Sequence, residues 1–245
     1  MSYLSWNQIT IADFSEANVS AMYSRGYVFT RLGRGMMQQT RSVRIDLSKF
    51  SLTSENRRIF KKTTEMSEPT LNQLPLKDYD FKLGKLAKDF YDTKFGPGIM
   101  SAQKVKEMLT DVEKSNFNLL LGFGVRTADT IVVAPENSSN ESAESSIKGY
   151  AICMKNSSIL HYSYPFYDLT VTSKDTGLGM MIRAIEYAKA ANLKFVYLGS
   201  LQRPTDTYKL QFDGLEWFDG KEWQTDLQEV KRLLNTTDSN ANLVA

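Results

Sequence analysis

Cysteine and histidine are almost missing from these 245 residues. Cys153 stands alone, which excludes an internal disulfide and any zinc or iron–sulfur site built from several cysteines. His161 is the single histidine, so a histidine metal cluster is impossible, and covalent acyl-enzyme schemes that need Cys–His or Ser–His–Asp have little support. Long apolar runs are absent too. Nothing approaches the roughly 20 residues that span a bilayer, and Met1 to Phe14 lacks a signal-peptide core. A cytoplasmic protein is therefore expected, and the Asn-x-Ser/Thr triplets at Asn137 and Asn140 carry no weight as glycosylation sites. Charge of one sign is also lacking: 30 Lys+Arg face 28 Asp+Glu. Any RNA contact must come from a local patch, not from bulk charge. The length suits one large domain or two small ones.

What is present is organised around Tyr164 to Trp223. The end of an apolar run leads through Gly177 and Gly179 into a segment with Leu178, Met181, Ile182 and Ile185 at helical spacing. Arg183, Glu186 and Lys189 fall on the other face, so the pattern predicts an amphipathic helix lying on a sheet. Asn192 is a left-handed stop, and Phe195 to Leu198 a short buried strand. A strand, a glycine turn and a helix start form an anion site in principle, because first-turn amides are unpaired and the dipole favours negative charge.

Before this stretch, Met1 to Phe29 is aromatic-rich without a long periodic segment, and Arg41 to Ile45 alternates as a strand does. Thr53 or Ser54 caps a helix in which Arg57, Arg58, Lys61 and Lys62 form two basic pairs four residues apart, a nucleic-acid patch or a merely solvated face. Glu65 to Lys77, holding Pro69 and Pro75, reads as a connection. Helices are expected over Tyr79 to Phe95, stopped by Gly96-Pro97-Gly98, and from Ser101, with Val105, Met108, Leu109 and Val112 inward. Strands are expected over Asn118 to Val125, Thr130 to Ala134, Ile147 to Met154 and Ile159 to Tyr164, with Lys155 to Ser158 as a hairpin turn. Asn137 to Ser146 is a polar loop too poor in apolar groups to pack. Asp219-Gly220 turns a last hairpin, Thr225 to Leu234 closes the fold as a helix, and the final ten residues are expected to fray.

Two resemblances compete for the glycine turn. Lys174-x-x-Gly177-x-Gly179 resembles the pyrophosphate loop of GNAT acetyltransferases, which grip coenzyme A with backbone amides. The longer string of Tyr-Asp-Leu at Tyr167, Gly-Leu-Gly at Gly177, Ile-Glu-Tyr-Ala-Lys at Ile185, Tyr-Leu-Gly-Ser at Tyr197 and Tyr-Lys-x-x-Phe at Tyr208 resembles the C-terminal domain of the arginyl- and leucyl-tRNA–protein transferases. Phe50 to Arg58 resembles that family's Phe-x-x-Ser-x-x-Gln-Arg-Arg motif, with Asn56 in place of glutamine; Arg25-Gly26-Tyr27 and Arg31-Leu32-Gly33 match its N-terminal element in part. Where the family commonly has cysteines that hold a metal or cluster, this chain has Gln38, Gln39, Thr40 and Ser42.

The resemblance implies an α+β fold, a GNAT-like mixed sheet flanked by helices. It divides the chain into an N-terminal region with the basic helix (1–75), a transferase domain (76–235) and a disordered tail (236–245). It implies an enzyme moving an amino acid of the arginine or leucine class from charged tRNA to the α-amine of an acceptor protein, as in an N-degron pathway. No cofactor and no metal are expected beyond the aminoacyl-tRNA itself. Asp168, with Tyr167, is the candidate for orienting or deprotonating the amine, and capping the following turn is its equal alternative. Lys209, Tyr208 and Ser200 are substrate-binding candidates, though Lys209 also reads as an exposed lysine of no consequence. Arg57, Arg58, Lys61, Lys62, Arg41, Gly177 and Gly179 are the tRNA candidates. The competing readings are an acetyl-CoA-dependent GNAT acetyltransferase and a non-catalytic relative that binds RNA or protein termini.

Overall fold

The computed structural model describes residues 4–124, 147–170 and 174–241. The expected strand Thr130 to Ala134, the polar loop Asn137 to Ser146 and the last four residues lie outside them. In chain order the elements are β1 (Asn7–Thr10), α1 (Glu16–Ser24), β2 (Tyr27–Phe29), β3 (Met36–Gln39), β4 (Ser42–Asp46), α2 (Ser54–Lys62), β5 (Thr70–Gln73), α3 (Phe81–Phe95), α4 (Ala102–Thr110), β6 (Leu119–Gly124), β7 (Ile147–Lys155), β8 (Ile159–Tyr167), α5 (Thr176–Ala190), β9 (Phe195–Ser200), a 3₁₀ segment (Pro204–Gln211), β10 (Leu215–Phe218), β11 (Trp223–Gln224) and α6 (Leu227–Ala241). The expected class is the observed one, a mixed sheet flanked by helices.

The large sheet has the order β11-β10-β4-β9-β8-β7-β6-β5, and a second, three-stranded sheet has the order β1-β3-β2. All pairs in the large sheet are antiparallel except β8 with β9, joined by the crossover helix α5. Residues 1–75 and 76–235 share this sheet, because β4 lies between β10 and β9 while β5 closes the far edge. The segment read as a connection therefore contains a strand. Thr70–Gln73 pairs with Leu119–Gly122 as an edge, the one place where flanking prolines are tolerated.

Local signals act as their chemistry requires. Thr53 caps α2, Asp80 caps α3 and Ser101 caps α4, each side-chain oxygen accepting from an orphan amide two or three residues on. Asn192 adopts φ +56° after α5, and Gly96 φ +96° after α3. Asn156 closes the β7–β8 turn by accepting from the Ser158 and Ile159 amides, and Asp219 closes β10–β11 by accepting from Lys221 and Glu222. Gly26 has φ +80°, and a side chain there would enter the Phe218 ring. Val112, expected inward, is exposed: α4 ends at Thr110, so Val112 falls beyond the helical face.

α5 departs from the simple amphipathic picture. Met180 to Ile185 are buried all round, Arg183 included at 2% exposure. One side packs on the sheet and α2 covers the other, so Arg183 is not solvated; of the expected outer face only Lys189 is exposed, and Glu186 is half-buried. Among the described residues no helix is long and apolar enough to cross a membrane.

Candidate active site where two parallel strands part

β8 and β9 are hydrogen-bonded over three residue pairs only, Ile159↔Phe195, Leu160↔Val196 and His161↔Tyr197. Beyond His161 the register of β8 with β7 shifts, from Cys153↔Tyr162 to Ile152↔Tyr164. This bulge bends the strand. β8 continues to Tyr167 and β9 to Ser200 without pairing each other. A gap between the carboxyl ends of neighbouring parallel strands is where open α/β sheets bind ligands.

The gap holds Lys209. Its Nζ donates to the Ser200 carbonyl at 2.8 Å, and burial pushes its pKa down. Lys209 follows Tyr208, which is 45% exposed, so the 3₁₀ segment delivers a phenol to the surface and an ammonium to the strand ends. His161, the last paired residue of β8, is buried, and its Nδ1 meets Tyr23 Oη at 2.9 Å. Burial, with the Lys209 charge, lowers its pKa to about 3, so it is a neutral sheet residue rather than a base near pH 7. Cys153 is fully buried and its thiol is pushed up by burial, which makes it an inert core side chain. Tyr162, in the bulge, is 2% exposed, and its hydroxyl has no hydrogen-bond partner among the described residues. The rim carries cations on aromatic rings: Arg31 lies 5.9 Å from the Tyr164 centroid and Arg203 5.8 Å from that of Phe95. Two sequence readings touch this rim: the partial match at Arg31, and the loop Leu201 to Asp206, which holds Arg203 and departs from the resembled family where an acceptor pocket would be lined. Tyr162 and Phe95 carry no sequence signal that separates them from ordinary core and helix positions.

Asp168 directly follows the carboxyl end of β8, at the far end of the parted stretch. It lies seven residues beyond His161, roughly 20 Å of strand, and its Oδ1 accepts from the Thr170 amide at 2.9 Å and hydroxyl at 2.6 Å. Those bonds hold its carboxyl below the usual range, which weakens it as a base and is the chemistry of a turn cap. Tyr167 is buried against Phe90, with centroids 4.7 Å apart, and burial raises its phenol.

The glycines of the turn are close-packing positions. A Cβ on Gly177 would lie 3.1 Å from the Tyr167 ring. One on Gly179 would meet Thr63 Oγ1 at 2.8 Å and Cγ2 at 2.9 Å. Thr63 is the C-cap of α2, so the end of the basic helix rests on the start of α5. Arg183 fixes that contact. Its Nε donates to Met66 O at 3.1 Å, its Nη1 to Thr63 Oγ1 at 2.9 Å, and its Nη2 to Thr63 O, while its guanidinium lies 4.5 Å from the Phe60 ring. The orphan carbonyls of a helix C-terminus thus satisfy a buried cation. At the other end, Asn56 closes a capping box with Thr53 and donates to Gln211 Oε1 at 3.3 Å. α2 therefore bridges the 3₁₀ segment and α5.

Arg57, Arg58, Lys61 and Lys62 all lie on the exposed side of α2. Arg58 pairs with Glu55, Lys62 approaches Asp175 at 3.8 Å, and Arg57 folds back on the Leu52 carbonyl. These exposed pairs are weak and open to competition from a phosphate. Arg41 joins the strand-end group instead: its carbonyl accepts from the Leu201 amide at 2.9 Å. The structure thus brings Ser200, Tyr208, Lys209 and Arg41 together, and joins Gly177, Gly179 and Tyr167 to the end of the basic helix. A cavity of about 330 Å³ opens beside β10 at Lys49 and Glu216, but there the carboxylate is already bound by Arg44 at 2.7 Å. Among the described residues no three His, Cys, Asp or Glu side chains form a metal-holding group.

No family model matches the chain. An aspartate/glutamate leucyltransferase of Dinoroseobacter shibae is 25% identical over 185 residues, 75% of this chain and 61% of that protein. The chain thus spans about three fifths of the curated relative it matches. Among solved structures, L-PGS from Bacillus licheniformis superposes with a TM-score of 0.47 at 12% identity, covering 89% of this chain and 70% of that one. A GCN5-related glucosamine N-acetyltransferase region of a fungal GH3 β-N-acetylglucosaminidase gives 0.43 at 8% identity, covering 86% of this chain and 23% of that one.

Proposed function

We propose that this protein is an aminoacyl-tRNA–protein transferase that moves an amino acid, of the leucine or arginine class, from charged tRNA to the α-amine of an acceptor protein or peptide. The relative's name favours leucine. The observation that carries the reading is the seating of the basic helix. α2 presents four cations to solvent while its two ends are tied to Gln211 and to Arg183, beside the gap that holds Lys209. A phosphate-binding face is thereby held against a strand-end cleft.

The acetyl-CoA alternative has less support. A pyrophosphate loop uses the room its glycines leave, and here Thr63 and Tyr167 fill that room. In the proposed reaction the free α-amine attacks the ester carbonyl, a C–N bond forms, the C–O bond to the ribose breaks, and the amine's proton ends on the ribose oxygen. An α-amine with a pKa near 8 needs little help to lose its proton. Placement and stabilisation of the tetrahedral oxyanion then supply most of the rate, and Lys209, whose Nζ donates to the Ser200 carbonyl, is the cation we assign to that role. Asp168, as a turn cap, acts on the amine only by shaping the end of β8.

The test is incubation with leucyl-tRNA, arginyl-tRNA and labelled acetyl-CoA over a peptide panel. Aminoacyl label on the peptide α-amine, with none from acetyl-CoA, is the expected result. Acetyl transfer without aminoacyl transfer would replace this reading with the acetyltransferase one.

A further inference from the structure

Tyr162 is the least explained side chain beside the parted strands. It is 2% exposed, and its Oη is closed to solvent without a hydrogen-bond partner among the described residues. Other buried phenols nearby are satisfied. Tyr23 Oη meets His161 Nδ1 at 2.9 Å and accepts from the Phe29 amide at 3.4 Å, and Tyr197 Oη accepts from Arg44 at 3.5 Å. A buried hydroxyl without a partner carries the full cost of its desolvation, and such a cost is tolerated where a ligand supplies the partner.

Its place narrows the ligand. Tyr162 is the first residue of β8 beyond the last pair with β9, so on that side the strand borders the gap and not a neighbour. The ionisable groups that act on the phenol come from the elements around it: Cys153 of β7, Tyr208 of the 3₁₀ segment, Tyr91 of α3 and Tyr167 at the end of β8. Burial above all, and these groups with it, push the phenol well above its ordinary value, so it keeps its proton and is offered as a donor. A donor calls for an acceptor. The attacking amine cannot serve, because its lone pair forms the new bond, and phosphates are met on the open face of α2. The ester carbonyl oxygen is an acceptor, and it gains negative charge as the amine adds.

We infer that the Tyr162 hydroxyl donates to the carbonyl oxygen of the aminoacyl ester and, with Lys209, holds the oxyanion that forms as the amine adds. The inference rests on the transferase reading and deepens it. Tyr162 gives up nothing in the reaction. The C–N bond forms, the C–O bond to the ribose breaks and the amine's proton ends on the ribose oxygen, while the phenol keeps its own proton throughout. Its hydrogen bond is strongest when the carbonyl oxygen carries charge, so its effect falls on the rate of transfer more than on the binding of tRNA.

The test is Tyr162→Phe, which removes the oxygen and keeps the ring. Calorimetry uses two stable probes: adenosine bearing a 3′-leucyl amide, which has the carbonyl, and the matching 3′-ether, in which a methylene replaces it. The wild-type protein should bind the amide about fivefold more tightly, and Tyr162→Phe should bring the two within about twofold. Leucyl transfer to peptide, in single turnover at saturating tRNA, should fall roughly tenfold or more with tRNA affinity unchanged. The urea midpoint of the variant should stay level or rise, because no bond inside the protein is lost. An unchanged amide-to-ether ratio overturns the inference. So does a lowered midpoint, up to failure to fold, which would show the hydroxyl already bonded within the protein. Carbonyl-dependent binding that Tyr162→Phe abolishes, without any leucyl transfer by the wild type, would retain this contact and remove the transferase reading. Transfer that the variant performs at full rate would do the reverse, so the two fail separately.

Discussion

Gly179 offers the sharpest test of how the molecule is built. Replacement by alanine puts a methyl 2.8 Å from Thr63 Oγ1, 2.9 Å from Cγ2 and 3.1 Å from Cβ. Thr63 cannot turn away freely. It is 3% exposed, and its hydroxyl donates to Ile59 O at 3.0 Å while accepting from Arg183 at 2.9 Å. Overpacking of this kind costs about 1–3 kcal/mol, and disturbing the charged hydrogen bond adds about 1.5–3 kcal/mol if it breaks. The gain in helix propensity returns about 1 kcal/mol. A net loss of about 1.5–5 kcal/mol is expected, a fall in urea midpoint of roughly 0.5–1.7 M at a slope of ~3 kcal/mol/M. The deciding measurement is a double-mutant cycle with Thr63→Ala, which removes both close atoms. Gly179→Ala should cost less than about 0.5 kcal/mol in that background, giving a coupling of at least ~1 kcal/mol. Additive effects would mean that Gly179 is not packed on Thr63, and would return the turn to its role as an anion loop.

Two further outcomes follow from the same geometry. If the exposed face of α2 meets phosphates, Arg57→Ala with Arg58→Ala should flatten the log–log salt dependence of tRNA binding by roughly one unit per lost contact, and an unchanged slope with intact circular dichroism would make this a solvated face. His161, at about 3 in the fold against 6.5 unfolded, is neutral when folded, so its contribution is full above about pH 6.5 and lost as pH falls toward 3. Urea midpoints between pH 6.5 and 4.5 should therefore decline in the native protein and decline less in His161→Gln. Glu186, whose carboxyl is raised by burial, works in the opposite direction, and an identical slope in the variant would contradict the assignment.

The sequence by itself determined those features whose causes lie within a few residues. Thr53, Asp80 and Ser101 cap helices because each side chain reaches an amide two or three positions on. Asn192, Asn156 and Asp219 turn the chain for similarly local reasons, and the spacing of Arg57, Arg58, Lys61 and Lys62 alone sets them on one open face. The motif around Tyr208 names residues that the fold sets at the end of β9. Tertiary structure decided the rest. Periodicity assigns a charged residue to solvent by default, and Arg183 escapes that rule only because the last turn of a helix 120 residues earlier supplies its acceptors. The edge strand Thr70–Gln73 has no pattern of its own and exists through its pairing with β6. The parting of β8 from β9 depends on a bulge whose extra residue leaves no mark on alternation, and on a ladder that ends after His161. That Arg41 Nε is buried without an acceptor among the described residues is likewise invisible in one dimension, because it depends on every element that packs against it.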